Sequence, residues 1–249
     1  MTLRVVIPSR SRADMLAECS LKIFPQATVC VEESEAEAYS RLTSNLLLHP
    51  PLPSLAAIRN WILDNVPDRV VLQADDDIER VISYVGVRSK SYTDPSEIMQ
   101  IVENCAEVAQ GFGCYLFGFN QTFDPKTFRP QDPFRLNGWV GSVVGFLGRS
   151  PSVRADPKLK LRGDIELSMR SLLKQRVIFV DSRFHFVVGG RFTNRGGNAS
   201  NRSEIRERAE LSALTKRWGR FISFGVRSGF GAKRIKAKTT VLHVKRRQG

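Results

Sequence analysis

A chain of 249 residues, 42% of them hydrophobic, can bury one large core, yet no apolar run approaches the about 20 residues that a membrane-crossing helix needs. The four cysteines (Cys19, Cys30, Cys105, Cys114) lie on apolar segments without C-x-x-C spacing, which disfavours a zinc site or disulfides and fits reduced, buried thiols. The net charge of +13 is uneven: 13 Lys+Arg meet 18 Asp+Glu before Arg149, a balance of −5, and 25 meet 7 from there on, a balance of +18. Such a basic half indicates a polyanionic partner, and nucleic acid is preferred here to a merely solvated basic surface.

The chain opens on an apolar strand, Leu3–Pro8, with no long apolar signal region, so the protein is expected to be soluble and cytoplasmic. Ser9-Arg10-Ser11-Arg12 follows, ahead of a helical run over residues 15–23. Two arginines beside a helix start can hold an anion, the alternative being that one is simply solvated. Residues 28–31 read as a second strand and residues 32–48 as a helix with an acidic, solvent-facing start. Pro50, Pro51 and Pro53 break the chain. Ser54 then caps a helix over residues 55–66, with Leu55, Ile58, Ile62 and Val66 at helical spacing. Arg59 and Asn60 lie on or beside it; Arg59 is an exposed helix arginine by default, or a phosphate or base contact.

Arg69-Val-Val-Leu-Gln-Ala-Asp75-Asp76-Asp77-Ile78 is the stretch from which the functional reading starts. It reads as a buried strand delivering three carboxylates at its carboxyl end, where open α/β sheets bind ligands. If the chain stays extended, Asp75 and Asp77 point one way and Asp76 the other. Two such oxygens suit a hard divalent cation that also takes substrate phosphates. An Asp-rich turn is the plainer alternative, but a turn needs one carboxylate and three adjacent anions repel.

Residues 78–87 are expected as a strand, Asp94-Pro95 as the start of a helix to about Gln110, and residues 114–119 as a strand. Residues 121–137 read as a loop. Gly138 to Gly148 is a glycine-punctuated strand region whose small residues admit backbone or ligand. No G-x-x-x-x-G-K-[ST] and no G-x-G-x-x-G occurs, which argues against a P-loop ATPase and against nicotinamide chemistry. Leu161-Arg162-Gly163-Asp164-Ile165-Glu166-Leu167 opens an amphipathic helix to about Lys174. Glu166 is read as a cap of its first turn; Asp164, beside a glycine at the helix mouth, is the better candidate for chemistry. Residues 177–188 are strand-like. Residues 189–198 form a loop of glycines, amides and arginines suited to fold over phosphates. Residues 203–218 make a basic helix with Arg206, Arg208, Lys216 and Arg217. The tail carries Lys233, Arg234, Lys236, Lys238 and Lys245-Arg246-Arg247, with a short strand at 239–244 that holds His243.

A strand ending in Pro-x-Arg, an Arg-Asn helix, an apolar strand into Asp75-Asp76-Asp77, the Gly163-Asp164 helix and a late His243 together resemble a GT-A glycosyltransferase over roughly the whole chain. The run Asn194-Arg-Gly-Gly-Asn198 with residues 202–218 is similar, more particularly, to the phage and kinetoplastid branch associated with TET/JBP-type base hydroxylases. The resemblance implies an α/β fold of GT-A (Rossmann-like) type, a mixed central sheet flanked by helices in a single domain, residues 1–249. Residues 1–148 would bind nucleotide sugar and metal, and residues 149–249 the acceptor. It implies an inverting, metal-dependent transfer of a sugar from a UDP-sugar onto the hydroxymethyl group of a modified pyrimidine in DNA, in a host cytoplasm if the protein is phage-encoded.

On that resemblance Asp77 would bind Mn²⁺ or Mg²⁺ directly, with Asp75 beside it touching ribose or sugar as well, and His243 as a late third ligand. Arg10, Arg12, Arg59, Asp75 and Asp76 would hold the donor nucleotide, joined by Arg195 and Gly196 of the late loop. Asp164 would be the general base, with Glu166 its nearest rival. The chemistry asks for these roles: a cation offsets charge on a departing diphosphate, and a carboxylate accepting an alcohol's proton typically contributes about 10²–10⁴-fold. A DNA acceptor also accounts for the basic half, and a base must leave the stack to be reached. Phe123, Phe128, Phe134 and Trp139 could stack on it, although such residues usually belong to the core. The competing readings are a glycosyltransferase for a saccharide or protein acceptor and a non-catalytic nucleic-acid-binding module.

Overall fold

A run of β-branched and apolar residues builds each inner strand, and Ser54, Asp94 and Ser203 cap three of the longer helices. The computed structural model describes residues 2–84, 89–122, 128–150, 152–189, 203–219, 221–225 and 238–240. In chain order these form β1 (Leu3–Pro8), α1 (Ala13–Glu18), α2 (Ser20–Ile23), β2 (Thr28–Glu32), a 3₁₀ turn (Glu33–Glu35), α3 (Ala36–Ser40), β3 (Leu46–His49) and α4 (Leu55–Asn65). There follow β4 (Val70–Ala74), β5 (Ile78–Ser83), β6 (Lys90–Tyr92), α5 (Pro95–Gly111), β7 (Leu116–Asn120), β8 (Phe134–Arg135) and β9 (Val143–Leu147). The last are α6 (Gly163–Gln175), β10 (Phe179–Val188), α7 (Glu204–Trp218), β11 (Ser223–Gly225) and β12 (Lys238–Thr240).

The sheet order is β3-β2-β1-β4-β9-β7-β10-β5-β6, with β8 paired to β10. The β3-β2-β1-β4 portion is parallel, with Val6 of β1 opposite both Thr28 and Gln73. Beyond β4 the sheet is mixed: β9 runs antiparallel to β4 and β7, while β10 is parallel to β7 and antiparallel to β5. Strand alternation divides the core into two layers. Val70, Leu72 and Ala74 of β4 pack with Leu16, Ile23, Ile98 and Val102 on the side of α1, α2 and α5. Val71 packs with Ile58, Ile62, Ile165, Leu172, Leu214 and Trp218 on the side of α4, α6 and α7. All five residues of β4 are buried, as a strand covered on both faces requires.

The cap read at Ser54 is made, and Asp94 caps the helix expected to start there. The Ser54 hydroxyl accepts from the Ala57 N–H at 3.2 Å, and Asp94 Oδ1 accepts from the Ser96 and Glu97 N–H groups at 2.9 and 3.0 Å. The expected helix over residues 15–23 is broken at Cys19, whose backbone lies at φ −116°, ψ −93°. The expected helix over residues 32–48 is overturned more fully. After α3, the Asn45 N–H bonds to Thr43 Oγ1 at 3.1 Å, a local bond that competes with helix, and Leu46–His49 becomes the edge strand β3. The leucines fit either period; the open parallel edge of β2 decides, with Val29 opposite Leu46.

Gly138 and Gly145 admit side chains of the core. A Cβ on Gly145 would lie 1.9 Å from the Phe117 ring, and one on Gly138 would lie 2.7 Å from Val180.

Candidate donor and metal site at the ends of β1 and β4

β1 and β4 are parallel neighbours, so the segments following them, residues 9–12 and 75–77, emerge side by side. The acidic triplet does not stay extended. Asp76 and Asp77 form a tight turn into β5, and both carboxylates reach the same Arg12 Nη1, Asp76 Oδ1 at 3.0 Å and Asp77 Oδ2 at 3.5 Å. The alternation expected for an extended strand therefore stops at Asp75. The turn is clamped at three points. The Asp75 N–H donates to Ser142 O at 2.8 Å, and the Gly189 N–H donates to Asp77 O at 2.7 Å. The hydroxyl of Ser20, at the start of α2, donates to Asp75 O and accepts from the Ile78 N–H, each at 2.8 Å.

The segment after β1 is shaped around Asp76. Ser11 takes a left-handed conformation, φ 52°, held by Glu35, which accepts from its N–H at 2.7 Å and its hydroxyl at 2.8 Å. The Ser9 hydroxyl donates to Asp76 Oδ2 at 2.7 Å, which leaves Tyr39 Oη as the donor in their 2.8 Å contact. Tyr39 Oη in turn accepts from the Arg12 N–H at 3.1 Å, and burial pushes its phenol above the ordinary range, keeping it a donor. Asp76 is thus enclosed beside Ser9 and Arg12, while Arg10 is exposed.

Arg59 is not the exposed residue its default reading allows. It is buried on α4, and its Nη2 donates to Asp75 Oδ1 at 2.9 Å, while Gln73 Nε2 bonds to the Arg59 carbonyl at 3.0 Å. Arg59 Nε has no hydrogen-bond partner among the described residues. The neighbouring Asn60 makes a reciprocal pair with Ala155, Nδ2 to O at 2.9 Å and N–H to Oδ1 at 3.0 Å, holding the segment that leads into α6. That segment delivers Asp164 close enough for its carboxyl to sense Arg59 and Arg162, which favour its charge, and Asp75, which opposes it. Burial is the largest influence and pushes Asp164 upward; its Oδ1 also accepts from the Ile165 N–H at 2.9 Å.

Glu166 lies elsewhere. It is not the first-turn cap expected, since its side chain is fully buried and its Oε1 pairs with Arg170 of the same helix and with Arg217 Nη1 of α7, the latter at 2.9 Å. Asp156 joins the same group through Arg217 at 2.7 Å.

Three clustered carboxylates with Asp164 nearby outnumber the guanidiniums of Arg12 and Arg59 that touch them. Asp77 shows the imbalance. Its Oδ1 is buried with no hydrogen-bond partner among the described residues, and burial together with Asp75 and Asp76 raises its carboxyl to about 7. An unpartnered oxygen and excess negative charge suit a divalent cation, and Asp75 and Asp77 are the residues that could hold one. Among the described residues no group of three or more His, Cys, Asp or Glu side chains is placed to hold a metal. His243, Arg195, Gly196 and Phe123 all lie outside the described residues.

Beside the acidic turn a cleft of about 340 Å³ opens over β5, β7, β9 and β10, lined by Arg80, Asn120, Gln121, Ser142 and His185 among others. Its Ser142 is the residue whose carbonyl binds the Asp75 amide, so cleft and turn share a wall. Of the aromatic residues considered for base stacking, Phe134 packs on Phe179 at 5.3 Å, Phe128 on Tyr84 at 5.7 Å, and Trp139 against the core layer of α4 and α6. On α7, Arg206, Arg208 and Lys216 are exposed.

No family model matches the chain, and no curated protein matches it. Among solved structures it is similar to Staphylococcus aureus TarS 1–349 in complex with UDP-GlcNAc, with TM-score 0.52, 13% identity, and coverage of 82% of this chain and 62% of that one. It is also similar to the mannosyltransferase PcManGT from Pyrobaculum calidifontis in complex with GDP-Man and Mn²⁺, with TM-score 0.50, 13% identity, and coverage of 88% and 64%. The fold is GT-A. The chain spans less than two thirds of the length of these two GT-A relatives. No helix among the described residues is long and apolar enough to cross a membrane.

Proposed function

We propose that the protein is a metal-dependent, inverting glycosyltransferase that moves a sugar from a UDP-sugar onto the hydroxymethyl group of a modified pyrimidine in DNA. The observation that carries the reading is the meeting, at one end of a GT-A sheet, of Asp75 and Asp164 at the buried Arg59, with Asp77 beside Asp75 on Arg12. These groups come from three separate segments, and a merely structural acidic turn does not call for a fourth carboxylate brought in by α6. UDP-GlcNAc and GDP-Man with Mn²⁺ in the two similar structures support a nucleotide-sugar donor and a divalent ion.

In this reading Arg12 and Arg59 orient the donor, Arg59 with one N–H to spare. Arg10, exposed at the rim, and Arg195 and Gly196 of the late loop complete its enclosure, and His243 is the third ligand of the ion. Asp76 positions Arg12. Asp75 and Asp77 would hold the divalent cation, which when bound would supply Lewis-acid stabilisation of a departing diphosphate. Asp164 takes the proton of the attacking hydroxyl and needs no covalent intermediate. Glu166 is a poor rival because it is fully buried with Oε1 shared by Arg170 and Arg217. The cleft beside the turn is the place for the acceptor base, and the basic half, with the exposed arginines of α7, holds the DNA backbone.

The test is incubation with hydroxymethylated and unmodified DNA, Mn²⁺ and a panel of nucleotide sugars, followed by mass spectrometry of the released nucleosides. A hexose or pentose increment on the hydroxymethylated base alone is expected. Transfer to a free saccharide with none to DNA would overturn the acceptor assignment. Absence of Mn²⁺-coupled UDP binding by calorimetry would leave only a nucleic-acid-binding module.

A further inference from the structure

We infer that Glu210 is a positioning residue for Asp164, reaching from α7 to the three peptide groups that lead into α6; this rests on Asp164 being the base proposed above. Glu210 is buried in a helix otherwise counted as basic. Its Oε1 accepts from the Lys160 N–H at 2.8 Å, and its Oε2 accepts from the N–H groups of Leu161 at 2.9 Å and Arg162 at 3.1 Å. A single carboxylate thus gathers three consecutive amides from a segment 48–50 residues away.

The placement of those amides gives the contact its consequence. Arg162 is the N-cap of α6 and makes no side-chain cap bond, so the entry to the helix has no local device to fix it. Asp164 comes two residues later. The same segment is tied on its far side to α4, the helix that carries Arg59. Ser54 Oγ donates to Pro157 O at 2.8 Å, the Lys160 ammonium meets Pro53 O, and Asn60 pairs with Ala155. Residues 155–162 are therefore stretched between α4 and α7, and Glu210 is the buried anchor at the α7 end, with the Arg162–Glu207 pair beside it. Releasing that end lets the mouth of α6 move relative to Asp75, and a displacement of about 1 Å in a reacting group can cost about 10²-fold in rate.

The experiment uses the full chain and the variants Glu210→Ala, Glu210→Gln, Asp164→Asn and Asp164→Asn/Glu210→Ala. Turnover on hydroxymethylated DNA, Mn²⁺–UDP affinity, and hydrogen exchange of residues 160–165 are measured. Glu210→Ala is expected to lower kcat at least about tenfold with UDP affinity within about twofold, and Glu210→Gln, which keeps one acceptor oxygen, to fall between. In the Asp164→Asn background the same change is expected to cost less than about twofold, because a residue acting through Asp164 has nothing left to position. Equal losses in both backgrounds would overturn the inference and leave the base assignment standing. Wild-type turnover by Asp164→Asn would overturn the base assignment, and with it the role given to Glu210. Should no donor support transfer, the functional reading fails, and hydrogen exchange decides for Glu210: faster exchange at 160–165 in Glu210→Ala and Glu210→Gln supports the anchor, and unchanged protection overturns it.

Discussion

Asp77 combines an unpartnered buried oxygen with a carboxyl raised from an ordinary 3.8 to about 7, and this has a measurable sign. The folded chain holds a proton there that the unfolded chain releases, so the associated stability is present below about 4 and is lost as pH rises through about 7. Metal-free protein is therefore expected to melt at a lower temperature at pH 8 than at pH 5, and Mn²⁺ to raise the melting temperature more at pH 8. Asp76 and Asp164 are displaced upward by burial in the same sense. In Asp77→Asn most of the slope and the Mn²⁺ effect should vanish, and metal-dependent turnover should be abolished. A melting temperature that is flat across this range in the native chain would contradict the charge imbalance.

The two carboxylates of α6 should separate cleanly. Asp164→Asn is expected to lose turnover about 10²–10⁴-fold with UDP binding retained. Glu166→Gln should leave the chemistry largely alone but lower stability by about 1–3 kcal/mol in urea unfolding. That is less than a wholly buried pair would cost, because Arg170 and Arg217 are 36% and 44% exposed and can turn to water. The sequence brought forward Asp75, Asp77 and Asp164 as candidates because their residue types announce charge next to a strand end and a helix mouth, and Arg59 only as one of two readings of a helix arginine. It could not locate Ser20, Tyr39 or Glu210, since each acts through a partner 27 to 58 residues away and its type is unremarkable where it stands.

At the scale of elements, β1, α4, β4, α5 and α6 were readable within a residue or two, because the apolar pattern is unambiguous there and capping side chains agree with it at α4 and α5. Residues 32–48 were not, since three leucines satisfy either period and a neighbouring strand edge made the choice. The glycine-rich strand β9 was seen as permitting close approach, and the approaching group is a ring of the neighbouring strand. Gly145→Ala is expected to destabilise the fold by about 1–3 kcal/mol, since Phe117 can yield only by leaving its packed position. Chemical denaturation measures this, and an unchanged midpoint would mean that the ring has room to move.

For the whole molecule, the charge split of −5 and +18 was legible at once, while its place on the surface was not, since much of the basic tail lies outside the described residues. Replacing Lys245, Arg246 and Arg247 by alanine is expected to flatten the plot of log DNA affinity against log salt by about 3, at about 0.9 for each phosphate no longer neutralised, without altering Mn²⁺–UDP binding. Equal salt slopes for both proteins would remove the tail from the DNA interface.

β10 lies between β7 and β5, so the arm that carries the chain away from the acidic triplet hangs on a strand made a hundred residues later. During synthesis the hairpin of β5 and β6 has no neighbour to join until residues 179–188 have left the ribosome. Contacts so distant in the chain are slow to form and leave strand edges open meanwhile. Residues 1–148 expressed alone should therefore aggregate rather than bind nucleotide, and adding 149–249 in trans should rescue them only if both are present as they fold.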